Sequence, residues 1–362
     1  MKKQYTHQRW HRPLLLWGIA LLPLPLLGAS PNHEAKVFKD WAVACNNIRA
    51  CEATSFMFRD DGTGEMDALL RLERGGKPSD APRFSLNLGN EALPTNLVGK
   101  PVLLRAGGKT LALDKLTSTQ QQQASITLPP EKNAALLTLI TKPALLEIVI
   151  GTTTHRATLS GLTASLLYLD EQQKRLNTPS ALVRKGSKTM TAMPPATPLL
   201  STVLPHKGMQ APAGLPSKVR KVMAASLTDC DADDADNKPS ERDFVEPLDA
   251  KHYLVGIACF SGAYNQMTDL FVVTKDSAAS AKPRTTRAKL AFHDSGDSQL
   301  VNVAFDPKTG VLSEYNKWRG LGDCGSSTNW VWTGKQFAAV THDTMPECRG
   351  VIDYLNLWTA KF

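Results

Sequence analysis

Leu300-Val301-Asn302-Val303-Ala304-Phe305-Asp306, then Pro307-Lys308-Thr309-Gly310, then Val311-Leu312-Ser313-Glu314-Tyr315-Asn316-Lys317-Trp318 is the passage that decides the fold. On both sides of the Asp-Pro-Lys-Thr-Gly segment, apolar and polar residues alternate with the period of a strand that buries one face. Proline presets one backbone angle and glycine accepts a positive φ, so the segment reads as a tight turn. Two strands, Leu300 to Asp306 and Val311 to Trp318, are therefore expected side by side. Upstream, Tyr253 to Phe260, Asp269 to Thr274 and Arg287 to His293 carry the same signature. Downstream, Thr328 to Trp332 and Gln336 to His342 flank Thr333-Gly334-Lys335, a second hairpin. With a short helix over Val219 to Leu227, residues 218–362 predict an antiparallel β-meander domain. No repeat of 20–50 residues marks a propeller or solenoid.

Residues 188–217 differ in composition. They hold Pro194, Pro195, Pro198, Pro205, Pro212 and Pro216 and few core-forming residues. The segment reads as a semi-extended linker, or as a strap laid along one domain. Before it, residues 37–187 predict a sheet-based α+β domain. Phe38 to Val43, Ser55 to Phe58, Ala68 to Leu72 and Phe84 to Leu88 read as strands. Val102 to Arg105 and Leu111 to Leu113 flank a Gly107-Gly108 turn, and Leu145 to Ile150 and His155 to Leu159 form another pair. Glu131 to Ile140 lies between prolines and reads as a helix. Ser160 to Leu176 reads as a second helix with Ser160 as N-cap, and Lys174 and Arg175 suit its C-terminal dipole. Adjacent Arg184 and Lys185 read as a solvated end. The chain as a whole is expected to be α+β and β-rich.

The chain has 362 residues, 42% of them hydrophobic and 21% charged, with a formal charge of +8. That suits two packed domains and excludes a disordered chain. Lys2, Lys3, Arg9 and Arg12 carry half of the surplus, so a nucleic-acid partner is not expected. These four cations precede a charge-free, leucine-rich run from Pro13 to Gly28. The pattern reads as a signal peptide over residues 1–29, and hence as a periplasmic or secreted protein. An uncleaved anchor is the alternative, although the run is short for a span and holds Pro23 and Pro25.

All six cysteines lie beyond that segment. An even count in an exported chain favours disulfides, and six cysteines allow 15 connectivities. Sequence order suggests Cys45–Cys51, Cys230–Cys259 and Cys324–Cys348. Zinc would call for Cys-x-x-Cys or a following His-x-x-x-His, and neither occurs.

Phe38-Lys39-Asp40-Trp41-Ala42-Val43-Ala44-Cys45-Asn46-Asn47, followed by Arg49-Ala50-Cys51-Glu52-Ala53, resembles the opening of domain-of-unknown-function family 1176, a group of exported bacterial six-cysteine proteins. Cys259-Phe260-Ser261-Gly262-Ala263-Tyr264-Asn265 resembles its central signature. Arg319-Gly320-Leu321-Gly322-Asp323-Cys324-Gly325 and Pro346-Glu347-Cys348-Arg349-Gly350 resemble its C-terminal ones. The first half is also distantly similar to the invasion-associated locus B family, through Asp40-Trp41-x-x-x-Cys45 and Ser160-Gly161-Leu162-Thr163-Ala164-Ser165-Leu166. The first resemblance implies no known activity; the second implies an envelope or host-contact role.

Candidate sites follow from residue chemistry. Gly322-Asp323-Cys324-Gly325-Ser326 resembles the nucleophile loop of chymotrypsin-like cysteine proteases, with His252 or His293 as base. The competing assignment is a Cys324–Cys348 disulfide, favoured in an oxidising compartment. Asp229, Asp231, Asp233, Asp234 and Asp236 offer oxygen ligands to calcium, but the glycine and glutamate of an EF-hand loop are missing, so a solvated acidic loop is the simpler reading. Trp330 and Trp332, sharing one strand face, form either a platform for a glycan or core packing against the disulfide. Tyr264 and Asn265 read a ligand by hydrogen bonding or close a turn. No Walker A, Rossmann, His-Glu-x-x-His or Gly-x-Ser-x-Gly motif occurs. The expectation is a non-catalytic binding or cell-envelope protein, without cofactor or metal, whose partner is an envelope component or small ligand. Its candidate surface is Tyr264, Asn265, Arg319, Trp330 and Arg349. A cysteine hydrolase and a secreted inhibitor of a wall-degrading enzyme are the alternatives.

Overall fold

Strands dominate the structure, a computed structural model that describes residues 34–58, 65–206, 208–227, 230, 241–292 and 298–362. The segment expected to direct export, His293 and the acidic loop (Asp229, Asp231, Asp233, Asp234 and Asp236) lie outside the described residues.

In chain order the first half contains β1 (Lys36–Phe38), β2 (Trp41–Cys45), β3 (Cys51–Ser55), β4 (Leu69–Arg74), β5 (Arg83–Asn87), β6 (Pro101–Ala106) and β7 (Lys109–Lys115). Then come α1 (Ser118–Gln123), β8 (Ser125–Thr127), α2 (Asn133–Ile140), β9 (Leu145–Ile150), β10 (Thr153–Thr158) and α3 (Leu162–Gln172). Two antiparallel sheets result, ordered β1-β2-β3-β4-β5-β8 and β10-β9-β6-β7. Their inward faces meet in one core with α2 and α3, built from Trp41, Leu70, Phe84, Leu104, Ile148 and Leu166 among others.

The second half contains α4 (Leu215–Met223), β11 (Phe244–Pro247), β12 (His252–Ser261), β13 (Gln266–Thr274), β14 (Thr285–Arg287), β15 (Gln299–Val301), β16 (Ala304–Asp306), β17 (Val311–Lys317), β18 (Gly325–Trp332), β19 (Phe337–Met345) and β20 (Leu355–Thr359). One sheet runs β11-β12-β13-β14 with β15 also on β13, and the other is the meander β16-β17-β18-β19-β20. Leu254, Leu270, Leu300, Trp330, Trp332 and Phe337 fill the space between these two sheets. The opposite face of β12, with Tyr253, Val255 and Ile257, packs on Leu215 and Val219 of α4.

Strand β2 joins the two halves. All five of its residues are buried, because both faces of the pleat are covered. Trp41, Val43 and Cys45 point into the first core. The alternate residues Ala42 and Ala44, with Phe56 and Leu69, pack on Met345, Val351, Leu355 and Leu357 from the second half. Polar ties flank this seam: Asn46 Nδ2 donates to Asn356 Oδ1 at 2.8 Å, and Asn47 Nδ2 to the Thr359 carbonyl at 2.9 Å.

The proline-rich segment takes the packed form. Leu200 N donates to the Lys361 carbonyl and Lys361 N to that of Pro198, both at 2.8 Å, and Val203 N reaches the Trp332 carbonyl at 2.9 Å. Arg49 holds the Met193 carbonyl and Tyr253 the Gln210 carbonyl, so the segment touches both halves. Three disulfides are present, Cys45–Cys51, Cys230–Cys259 and Cys324–Cys348, and no described cysteine is free.

Several elements depart from the sequence expectation. The strand expected over Leu300 to Asp306 is broken at Asn302, whose φ is +49°. Leu300 pairs with Thr268 in one sheet and Phe305 with Leu312 in the other, so the bend carries the chain between sheets. Asn302 holds the bend by accepting from Gln266 N at 2.9 Å. The strand expected from Arg287 to His293 stops at Arg287; Phe292 has φ +63°, and Leu290 crosses over to bridge Phe337. Lys39, at φ +53°, splits the first expected strand into the β1–β2 hairpin. The Cys45–Cys51 pairing sets β3 to begin at Cys51, so Ser55 ends a strand that was expected to start there. Ser160 is not the cap of α3. Gly161 is, at φ +101°, where an added Cβ would lie 1.7 Å from the Phe38 carbonyl oxygen. Arg175 does not lie on the end of α3 but donates to the carbonyls of Lys77, at 2.5 Å, and Pro78. Helix α1 was not foreseen: Thr117 and Gln120 form a reciprocal capping box in a stretch without apolar periodicity.

Candidate functional site

The expected surface residues part into two groups. Trp330 and Trp332 do share one strand face, as i and i+2 must, but it is the core face. Trp330 is 0% exposed and donates its indole N–H to the Ala291 carbonyl at 2.7 Å, so it forms no platform. Arg349 is 9% exposed and spans the seam between the halves. It pairs with Asp40 at 2.6 Å, donates to the carbonyls of Lys39 and Phe58, and lies 4.5 Å above the Phe56 ring. It is a staple rather than a ligand contact. Next to it, Gly350 at φ +85° presses on Met57, whose Cβ an added side chain would meet at 2.6 Å.

Tyr264, Asn265 and Arg319 do come together. The β12–β13 hairpin places Tyr264 and Asn265 against the loop 318–324 that leads from β17 into β18. Asn265 Nδ2 donates to the Lys317 carbonyl at 2.7 Å, and Asn302 Nδ2 donates to Asn265 Oδ1 at 2.9 Å. Asn265 is thus the keystone of a turn, and Asn302, which carries the chain between sheets, locks it. Tyr264 Oη reaches the Trp318 carbonyl at 3.4 Å, and its ring lies beside Gly320. Arg319 forks onto Asp323, with its Nε at 2.6 Å, and Gly350 N donates to the same carboxylate at 2.7 Å. The Arg319 hydrogen bonds, outweighing burial, hold the Asp323 carboxyl below its ordinary range. The adjacent Cys324–Cys348 disulfide fixes the loop.

The product is a rigid ledge with large apolar groups in solvent. Trp318 is 53% exposed, Leu321 75% and Tyr264 42%. Single exposed apolar side chains need no explanation, but neighbours on a fixed turn do. Sequence reasoning noted Trp318, Trp330 and Trp332 near Cys324 but put Trp330 and not Trp318 on the candidate surface; the signal for Trp318 was its position at the end of an alternating strand, just where pairing stops.

The thiol-hydrolase alternative is overturned. Cys324 is fully buried and bonded to Cys348. His252 packs at 5.8 Å from Trp332, at the far end of the eight-residue strand that Cys324 precedes, about 25 Å from Cys324 at about 3.3 Å rise per residue. Among the described residues, the one group with metal-ligand spacing is Cys230, Cys259 and Asp269. Both sulfurs are consumed by their mutual bond, and Asp269 is paired with Arg287 at 2.8 Å, so the donors do not suit a metal.

At that far end, a turn the sequence did not single out holds Asp249 below His252. Burial pulls the Asp249 carboxyl up, but hydrogen bonds from His252, from the Trp332 indole at 2.7 Å and from Lys251 N at 2.7 Å outweigh it and leave the group below its ordinary value. The carboxylate lies 2.9 Å from His252 Nδ1.

Comparison with known proteins locates the chain. A family model described as a protein of unknown function (DUF1176) matches residues 35–361. The chain is 30% identical over 371 residues to uncharacterized protein YpfG of Escherichia coli (strain K12), covering 97% of this chain and 99% of that protein. The crystal structure of invasion associated protein b from Bartonella henselae aligns with 39% of this chain and 99% of that one, with a TM-score of 0.27 and 15% identity. No helix among the described residues is long and apolar enough to cross a membrane. The family match takes in the Arg349 staple, the Tyr264–Arg319 ledge and the proline-rich strap, and the chain belongs to the DUF1176 family.

Proposed function

We propose that the protein is an exported, non-catalytic binding protein, periplasmic or secreted, that serves the cell envelope through the ledge of Tyr264, Trp318, Arg319 and Leu321. Export is supported by the cationic then apolar opening of the chain and by three disulfides, which persist in oxidising compartments. The observation that carries the binding role is Trp318, half in solvent beside Tyr264 on a turn held by Asn265, Asn302 and a disulfide. Large aromatic faces with their backbone fixed lose little freedom on binding and stack on flat ligands such as sugar rings. Arg319, already oriented by Asp323, adds a directed donor at the rim.

The test is co-sedimentation with insoluble cell-wall glycan. The protein is expected in the pellet, and the Trp318→Ala and Tyr264→Ala variants in the supernatant with unchanged thermal unfolding. Equal sedimentation of the wild type and both variants overturns this reading.

A further inference from the structure

The end of the second half remote from the ledge carries a cleft of different chemistry. Two cavities, of about 670 and about 420 Å3, adjoin there and share His252, Thr274 and Arg284 in their walls. Lys251 and Lys275 line the first lobe, and Lys289 and Lys335 the second, with Arg284 between them. Asp276 is the one carboxylate among the described lining residues, and it pairs with Arg284. No described residue forms an ion pair with Lys251, Lys275, Lys289 or Lys335. The cleft opens between the sheets: His252 and Thr274 end β12 and β13, whereas Lys335 sits in the β18–β19 hairpin. His252 is held in place, since Asp249 binds its Nδ1 and the Trp332 ring packs on it in a T-shaped contact.

Such an excess of unpaired ammonium groups around a concave site attracts an anion. The charge lies in both lobes, with the guanidinium at their junction, which matches a ligand carrying two anionic groups. Arginine forks and lysine point charges are the groups that recognise phosphate. We propose that this cleft binds a diphosphate-bearing ligand, one phosphate in each lobe, with Arg284 bridging them. This proposal does not depend on the ledge. A soluble diphosphate ester and a lipid-linked diphosphate headgroup share this chemistry.

The experiment is titration calorimetry on the folded, disulfide-intact protein with three probes: inorganic orthophosphate, inorganic pyrophosphate and farnesyl diphosphate. Pyrophosphate is expected to bind at least about tenfold more tightly than orthophosphate, because a second charged contact is worth more than about 1.4 kcal/mol. Arg284→Gln and Lys335→Gln are each expected to weaken pyrophosphate by about tenfold. Both side chains are exposed, and thermal unfolding run in parallel is expected to stay unchanged. Farnesyl diphosphate binding more tightly than pyrophosphate assigns a lipid-linked ligand, and equal affinity a soluble one. Equal affinity for orthophosphate and pyrophosphate, no heat with any probe, or pyrophosphate binding untouched by both variants overturns the proposal.

Discussion

Replacing Arg349 with methionine removes the charge of the inter-half staple while keeping most of its length. Asp40, 2% exposed, would keep the hydroxyl of Thr158 at 2.9 Å but lose its guanidinium. Truncating one partner of a buried pair costs about 3–5 kcal/mol, most of it the desolvated charge left behind. The carbonyls of Lys39 and Phe58 lose a donor as well, at about 1 kcal/mol each if water does not replace it. A total of about 5–7 kcal/mol is therefore expected for Arg349→Met. In the double variant Asp40→Asn/Arg349→Met the stranded charge is absent, so the cost should fall at least about 2 kcal/mol below the sum of the single losses. The assay is urea unfolding followed by tryptophan fluorescence, with the midpoint shift compared at constant slope. A loss under about 1 kcal/mol for Arg349→Met, or additive single costs, would refute the staple.

Further outcomes follow from other residues. Burial raises the carboxyls of Glu52 and Asp343, which face each other across the seam, so folding takes up protons there. The stability these two groups contribute should accordingly rise as pH falls from neutral toward about 4, while buried His342, its pKa lowered by burial, acts in the opposite direction, and Glu52→Gln with Asp343→Asn should remove that rise from urea midpoints across the range. Asp323 has the opposite sign: its depressed pKa supplies stability above about 4 that is lost only in stronger acid, which Asp323→Asn should abolish. Cys348→Ser opens a 24-residue separation and should cost about 3–4 kcal/mol, together with a faster-exchanging ledge in amide hydrogen exchange. Gly161→Ala, driven into the Phe38 carbonyl, should cost more than about 2 kcal/mol by the same urea assay.

What the sequence disclosed was local. The turns at Asp306–Gly310, Gly107-Gly108 and Thr333–Lys335 were legible because proline and glycine impose backbone angles whatever surrounds them. Alternation placed Trp330 and Trp332 on one face correctly, but periodicity does not say which face is covered. Arg349 reads as a surface residue until Asp40, 309 positions away, is brought to it. Asn302 looked like a strand residue because its bend is dictated by Gln266 and Asn265, not by its neighbours. For the same reason the cationic cleft was invisible: Lys251, Arg284 and Lys335 are scattered in sequence and meet only when two sheets stack.

Strand β2 carries a consequence for the order in which the molecule matures. The chain is made from its amino end, so Ala42, Ala44 and Phe56 exist some 300 residues before Leu355 and Leu357, which cover them. Until then the apolar flank of the first half has no cover from the second. Such a flank invites self-association, and contacts so distant along the chain close slowly. A nascent chain of this kind would profit from a holding chaperone that releases its grip only when the meander arrives. The small alanines on that flank, in place of larger apolar side chains, limit how sticky the waiting intermediate is.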